Sequence, residues 1–290
     1  MTPSAFEKRT FSQRTFYIKR DDLLDPNFSG NKARKFYHFL VNDFPDIKRI
    51  VSYGSNQSNA MYSLSVLAQI KGWEFIYFCD HIPKVLQEKP VGNFYYALQH
   101  GMKVLTSASK QEDAISLANA YTLVIEEGGR QKESEEGIAL LAKELESDIQ
   151  HAAIKDPFIF LPSGTGTTAL FLQKHLSYPV FTCSCVGDTH YLRKQWDMID
   201  SYCFQPQILE PSRKYHYGKL YPPLFELWQC LKENMGVEFD LVYDPIGWKT
   251  LLEHLESIKG TPIYIHQGGL LGNTSMEERY KRKKTIMKHF

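Results

Sequence analysis

The stretch FIFLPSGTGTTALFLQKHL, residues 158–176, decides how this chain is read. Residues 158–161 (FIFL) make a short apolar, strand-like run, and residues 168–176 (TALFLQKHL) carry a helical pattern. Between them stand Pro162, Ser163, Gly164, Thr165, Gly166, Thr167 and Thr168. Glycine lets the backbone turn sharply and come close to a ligand. The hydroxyls can donate hydrogen bonds, and the free N–H groups at a helix start favour an anion. Ser and Thr are also ordinary helix caps, so a plain strand-to-helix turn competes with a phosphate cradle. The strand context and the density of small residues favour the cradle. There is no lysine to complete GK[ST], which excludes a P-loop NTPase. GxGxxA is matched by Gly164, Gly166 and Ala169, with Asp188 after the next apolar run. From this loop alone, an NAD(P)-dependent oxidoreductase stays open.

Outward from the loop, apolar and β-branched runs recur at residues 15–19, 49–53, 74–79, 103–105, 180–186 and 263–266. Helical patterns fall between them at 60–71, 91–100, 137–145, 224–234 and 249–258. That alternation predicts βαβ units and parallel sheets. The length of 290 residues suits two domains. No fixed repeat or low-complexity segment is found. Residues 202–223, rich in Pro, Tyr and Gln, are predicted to be irregular, and the basic stretch 277–290 to be a solvated helix end.

Composition excludes several classes. Apolar residues make up 43% and charged residues 23%, which suits a packed core rather than disorder. With 34 Lys and Arg against 33 Asp and Glu, the chain has no general attraction for nucleic acid, and none is expected as a partner. No apolar run approaches the roughly 18–20 residues of a membrane span, and the N-terminus lacks a secretory apolar segment. A cytoplasmic protein with no membrane partner is expected. The five cysteines (Cys79, Cys183, Cys185, Cys203, Cys230) are odd in number and scattered, so free thiols are expected and no metal site.

Two further clusters carry chemistry. Near the N-terminus, Lys19-Arg20-Asp21-Asp22 is followed by Gly30-Asn31-Lys32-Ala33-Arg34-Lys35. Gly30 and Asn31 suit a turn, and Lys32 would open a helix. There the helix dipole and the neighbouring Arg34 and Lys35 lower its pKa and favour the nucleophilic amine. A solvated basic helix face is the competing reading. The second cluster, Gly54-Ser55-Asn56-Gln57-Ser58-Asn59, again follows a strand-like run and offers hydroxyls, amides and helix N–H groups, enough to hold a carboxylate or simply to cap a helix.

Taken in order, KRDD…GNKxRK, GxxQSN and the Gly/Thr loop resemble the pyridoxal-phosphate enzymes of the tryptophan synthase β-like fold (fold type II). More closely, the chain is similar to the 1-aminocyclopropane-1-carboxylate deaminase and D-cysteine desulfhydrase family. Val91-Gly92-Asn93-Phe94, Gly101-Met102-Lys103-Val104, Glu126-Glu127-Gly128-Gly129, Tyr217-Gly218, Val242-Tyr243-Asp244 and His266-Gln267-Gly268-Gly269 extend the likeness along almost the whole chain. It departs in two places: Ala60 follows QSN where the family has His or Gln, and the HTGG motif reads HQGG.

The resemblance implies an α/β architecture of two open, mostly parallel sheet domains with pyridoxal 5'-phosphate in the cleft between them. The larger domain would comprise 1–35 and 146–290, and the smaller, inserted one 36–145. Lys32 is implied as the Schiff-base lysine and general base. Gly164, Thr165, Gly166, Thr167 and Thr168 would bind the cofactor phosphate, with Lys35 adding charge. Asn59 would face the ring hydroxyl and Gln267 the ring nitrogen. Gln57, Ser58 and Asn59 would bind the substrate, and Ser58, Tyr217 and Tyr243 would serve catalysis. The implied activity is deamination or desulfhydration of a small amino acid, giving ammonia and a 2-keto acid, by a homodimer. Two alternatives stand beside it: the oxidoreductase above, and a pyridoxal-phosphate-fold protein that binds without turnover.

Overall fold

The computed structural model describes residues 2–201 and 204–287. The chain opens with β1 (Ala5–Phe11) and β2 (Arg14–Arg20), followed by the short helices α1 (Gly30–Lys35) and α2 (Tyr37–Val41). Next come β3 (Arg49–Tyr53), α3 (Asn59–Lys71), β4 (Glu74–Cys79), α4 (Lys84–Glu88), α5 (Gly92–Gln99), β5 (Lys103–Thr106), α6 (Lys110–Ser116) and β6 (Thr122–Ile125). The rest is α7 (Ser134–His151), β7 (Pro157–Ser163), α8 (Thr167–His175), β8 (Val180–Ser184), α9 (Thr189–Asp197), β9 (Gln207–Ile208), α10 (Pro222–Met235), α11 (Asp244–His254), β10 (Thr261–His266) and α12 (Leu271–Met287).

Two sheets divide the chain. One has the order β1-β2-β10-β7-β8-β9, the other β5-β4-β3-β6. The second sheet is therefore built from one continuous segment, and the first from chain on both sides of it. β7 is buried along its whole length, as a strand covered on both faces must be. One face of the six-stranded sheet packs Phe16 and Tyr264 under α10 and α11, against Trp248 of α11. The other packs Ile159, Ile263 and Ile265 against α7 and α8. The four-stranded sheet buries Ile50 and Phe75 against α3 and α5. The limit expected at residue 145 falls inside α7, whose Ile138, Leu141 and Leu145 share a core with Ile159 and Leu170, so the whole helix belongs with the larger sheet.

Several elements correct the sequence reading. β1 runs antiparallel to β2, not parallel. It is an edge strand whose burial does not alternate cleanly, so no period marks it. β6 and β9 are short and α9 is mostly polar, which hid them too, while the helix end expected in the basic stretch belongs to α12, which starts earlier, at Leu271. Pro222 and Pro223, expected in an irregular segment, open α10, where a missing N–H costs nothing. The other described residues between α9 and α10 hold only β9. α11 starts five residues before the predicted 249, again with a proline in its first turn. Tyr202, Cys203 and the last three residues of the basic tail lie outside the described residues. Cys79, Cys183, Cys185 and Cys230 are free thiols. No described helix is long and apolar enough to cross a membrane.

Candidate active site

A cavity of about 270 Å³ lies where segments following β2, β3, β5, β6, β7, β8 and β10 converge, so both sheets supply its walls. Ligands in open α/β sheets sit outside the carboxyl ends of strands, and this cavity obeys that rule. Of the residues singled out in the sequence, Lys32, Lys35, Ser58, Asn59, Gly164, Thr165, Gly166, Thr167, Thr168, Tyr217, Tyr243 and Gln267 all line it. Gln57 does not: its amide donates to Val91 O at 3.1 Å, and it lines a second, outer chamber.

Helix α1 carries the lysines. Its start is fixed to the chain after β10: Asn31 N–H donates to Gln267 O (2.9 Å), and Asn31 Nδ2 donates to Gln267 Oε1 (2.9 Å). Gly30 has φ +69°, and any Cβ there would run into the Gln267 carbonyl. Only glycine meets both demands. Lys32 Nζ and Lys35 Nζ donate to one and the same acceptor, Gly128 O, at 3.1 and 2.9 Å. Burial lowers the Lys32 pKa to about 8, opposed by its hydrogen bond with Lys35 and by the charges of Glu127 and Asp240. Lys35 is pushed well below the usual lysine value by burial, then by the charges of Lys32 and Arg130. The lowered Lys32 pKa expected from the sequence is found, but its cause is desolvation and not the neighbouring Arg34 and Lys35, and the contact with Lys35 opposes it.

Opposite stands the Gly/Thr turn. Gly166 is the N-cap of α8 with φ +70°, and a side chain there would collide with Trp196, whose Nε1–H donates to Gly166 O at 3.0 Å. The hydroxyls of Thr165 and Thr167 lie 3.0 Å apart. Thr168 Oγ1 is buried without a partner. A buried hydroxyl without a hydrogen bond costs about 1–3 kcal/mol, and this one lines the cavity, where it is free to bond a ligand. Gln267 Nε2 donates to Pro162 O (2.6 Å), which ties this turn to α1 through one side chain.

The remaining wall is acidic and phenolic. Ser58 Oγ caps α3, accepting from Ala60 N (3.1 Å) and Met61 N (3.4 Å). Asn59 is oriented by Asn93, whose Nδ2 donates to Asn59 Oδ1 at 2.6 Å. The hydroxyls of Tyr243 and Tyr217 are 3.2 Å apart, and burial raises the pKa of each. Ala60, where the motif departs from its pattern, is buried in the core beneath α3 and lines neither chamber.

Sequence reasoning missed Asp240. It is 3% exposed, and its Oδ1 accepts from Val242 N (2.8 Å) and Tyr243 N (2.7 Å), which fixes Tyr243. Burial raises its pKa to about 6. The signal was present as two acids, Asp240 and Asp244, in the otherwise apolar run 239–246 (FDLVYDPI). Glu127 and Ser55, each within a motif read from the sequence, also line the cavity, as does Lys110, which lies in no such motif. Asp188, required by the dinucleotide reading, is exposed, caps α9 by accepting from Tyr191 N (2.9 Å), and lines neither chamber.

No family model matches the chain. A putative 1-aminocyclopropane-1-carboxylate deaminase of Thermotoga maritima is 22% identical, with 96% of each chain covered. The crystal structure of an ACC deaminase homologue superposes with a TM-score of 0.81 at 18% identity, covering 96% of this chain and 94% of that one. A pyridoxal 5'-phosphate-dependent aspartate racemase superposes with a TM-score of 0.63 at 14% identity, covering 92% and 90%. The fold expected from the motifs is the fold of these structures.

Proposed function

We propose that this chain is a pyridoxal-phosphate-dependent deaminase or lyase of a small amino acid, releasing ammonia and a 2-keto acid. One observation carries the reading: the Lys32 amine, held below its ordinary pKa, shares one cavity with the Gly/Thr turn at the start of α8. The residues fit the cofactor. Thr168 supplies an unpartnered buried hydroxyl, α8 its opening N–H groups, and Lys35 a second amine beside Lys32. When bound, the cofactor supplies an electron sink for bonds broken at the substrate α-carbon.

The chain's own groups do the rest. Lys32 would hold the cofactor through its amine and would take or return the proton at the substrate α-carbon. Gly164 to Thr168 and Lys35 would hold the phosphate, and Asn59, oriented by Asn93, would bind the ring hydroxyl. Gln267, whose amide clamps α1 to the Gly/Thr turn, would meet the ring nitrogen. Ser58, at the start of α3 with Asn59 beside it, holds the substrate carboxylate, and Gln57 reaches the substrate from the outer chamber. Tyr217 and Tyr243, hydroxyl to hydroxyl, relay a proton. The reading includes a cytoplasmic homodimer and a split larger domain around an inserted smaller one, supported by the sheet membership of the strands.

The test is loading with pyridoxal phosphate. The wild type should gain the visible absorption band of a lysine-bound cofactor and release keto acid from a member of a D- and L-amino-acid panel; Lys32→Ala should lose the band and at least about a thousandfold of the turnover. A band that survives in Lys32→Ala would sink the assignment. A loaded protein that turns over no amino acid would favour a binding protein. Saturable NAD(P)H binding lost in Asp188→Ala would favour the oxidoreductase.

A further inference from the structure

The outer chamber, about 840 Å³, shares Ser55, Asn59, Tyr217, Asp240 and Tyr243 with the inner cavity, so the two adjoin along these residues. Its walls are largely apolar, with Val85, Leu86, Val91, Val242 and Met276. Its rim is cationic: Lys89 after α4, and Arg279, Lys281 and Arg282 on α12. Against them stand Glu278 at the rim and Asp240 at the inner boundary; His81 is the further titratable neighbour. Among the described residues, no carboxylate lies within ion-pair distance of Lys89, Arg279 or Arg282, whereas Lys281 pairs with Glu277 at 3.4 Å. The Arg279 guanidinium donates to Gly218 O (2.7 Å) and contacts Met276 Sδ (3.0 Å), which places it beside the segment that carries Tyr217. In a chain with nearly equal numbers of acids and bases, three cations without a paired carboxylate converge on one chamber that borders the site.

We infer that the amino acid taken by this site has an extended apolar side chain ending in an anionic group, the stem packing on the chamber wall and the anion meeting Arg279, Arg282 and Lys89. This rests on the functional reading above for the cofactor and the reaction, and replaces its small amino acid with one of longer, anionic side chain. A short substrate would leave the chamber to water. A long neutral one would lose the charge-assisted hydrogen bonds that guanidinium groups offer a carboxylate or phosphate.

Two thioethers of cysteine test it, S-(3-carboxypropyl)cysteine and S-butylcysteine, each as both enantiomers on the loaded enzyme. In each reaction the Cα–H and Cβ–S bonds break and the C–S electron pair leaves on sulfur as the thiol. One water supplies the keto oxygen, giving pyruvate and ammonia. The carboxylate-bearing compound should show a kcat/KM about fivefold or more above its neutral counterpart, a preference that shrinks with salt and in Arg279→Gln and Arg282→Gln. Calorimetric titration with α-aminoadipate and norleucine, similar in length, reads the same preference without turnover and should give the same order. Equal values for the charged and neutral members, or a preference untouched by both substitutions, would overturn the inference. Where neither thioether reacts, the titration decides. Keto acid from short amino acids without any charge preference would remove this inference and leave the functional reading standing; failure to load the cofactor would remove both.

Discussion

Arg34 and Lys32 stand two residues apart on α1 and meet opposite surroundings. Arg34 is fully buried, with Asp21 at 2.8 Å and Glu144 at 2.6 Å, and Ser4 Oγ accepts from it at 3.3 Å. Lys19 extends the same network from β2 to Glu144 (3.0 Å) and Asp148 (2.8 Å) on α7. Burial pulls the Arg34 pKa down, but the charge of Asp21 and the hydrogen bonds of Glu144 carry it above the ordinary value. Lys32 and Lys35 have only the Gly128 carbonyl between them, and both are held below the ordinary value. Burial is common to both sides of the helix; the counterion is not. With one, a buried cation anchors the fold; without one, it becomes an amine ready to react.

The structural side should give way most. Arg34→Ala leaves Asp21 buried and unpaired, and loss of one partner of a buried pair costs about 3–5 kcal/mol. Urea unfolding should register that loss. A loss under about 1 kcal/mol would mean that the network is not what fixes α1.

The reactive side should respond to pH with the opposite sense. A lysine whose folded pKa is about 8 rather than 10.5 is neutral in the folded chain while still protonated in the unfolded one. The unfolded state therefore binds more protons between those values, and stability rises with pH across about 8 to 10.5, by up to about 3 kcal/mol from this one group. Below pH 8 the full cost of the buried charge is present. The difference in unfolding free energy between wild type and Lys32→Met should track this window, and covalent trapping of pyridoxal phosphate by borohydride should rise with a midpoint near pH 8. A midpoint near 10.5 would place Lys32 with ordinary surface lysines.

The smallest effect belongs to the turn opposite. Thr168→Val removes a buried hydroxyl that has no partner, so the stability of the cofactor-free chain should hold or rise slightly. Affinity for the cofactor should fall about tenfold, roughly the 1–1.5 kcal/mol of one hydrogen bond. Equal cofactor affinity in the two proteins would show that this hydroxyl does not reach the phosphate.

Much of the site was legible because its parts are local. The Gly/Thr turn, the GNKARK helix and the SNQSN cap each declare themselves by turn and capping chemistry within about six residues, and that chemistry acts along the chain. Asp240 was only faintly legible: two acids in an apolar run, Asp240 and Asp244, mark the segment but have no local period, and the meaning of Asp240 comes from Asn59 and Lys32, far away in the chain. Asp188 was misleading for the same reason. Its spacing from the loop suited a ribose contact, while its local neighbours use it to cap α9.

What the sequence determined alone was the alternation of strands and helices and the chemistry of each strand-end turn, because both are set by periodicity and backbone preference. Edge strand β1 escaped, having no buried face to impose a period. Only the tertiary structure decided which buried cations are neutralised. KRDD and GNKARK read as one cluster of interleaved bases and acids in sequence, yet α7, more than a hundred residues on, adds Glu144 to Asp21 as a partner of Arg34 and supplies Glu144 and Asp148 to Lys19, while it supplies nothing to Lys32. The pKa of a buried group depends on charges within a few ångströms in space, and sequence neighbours do not reveal which those will be.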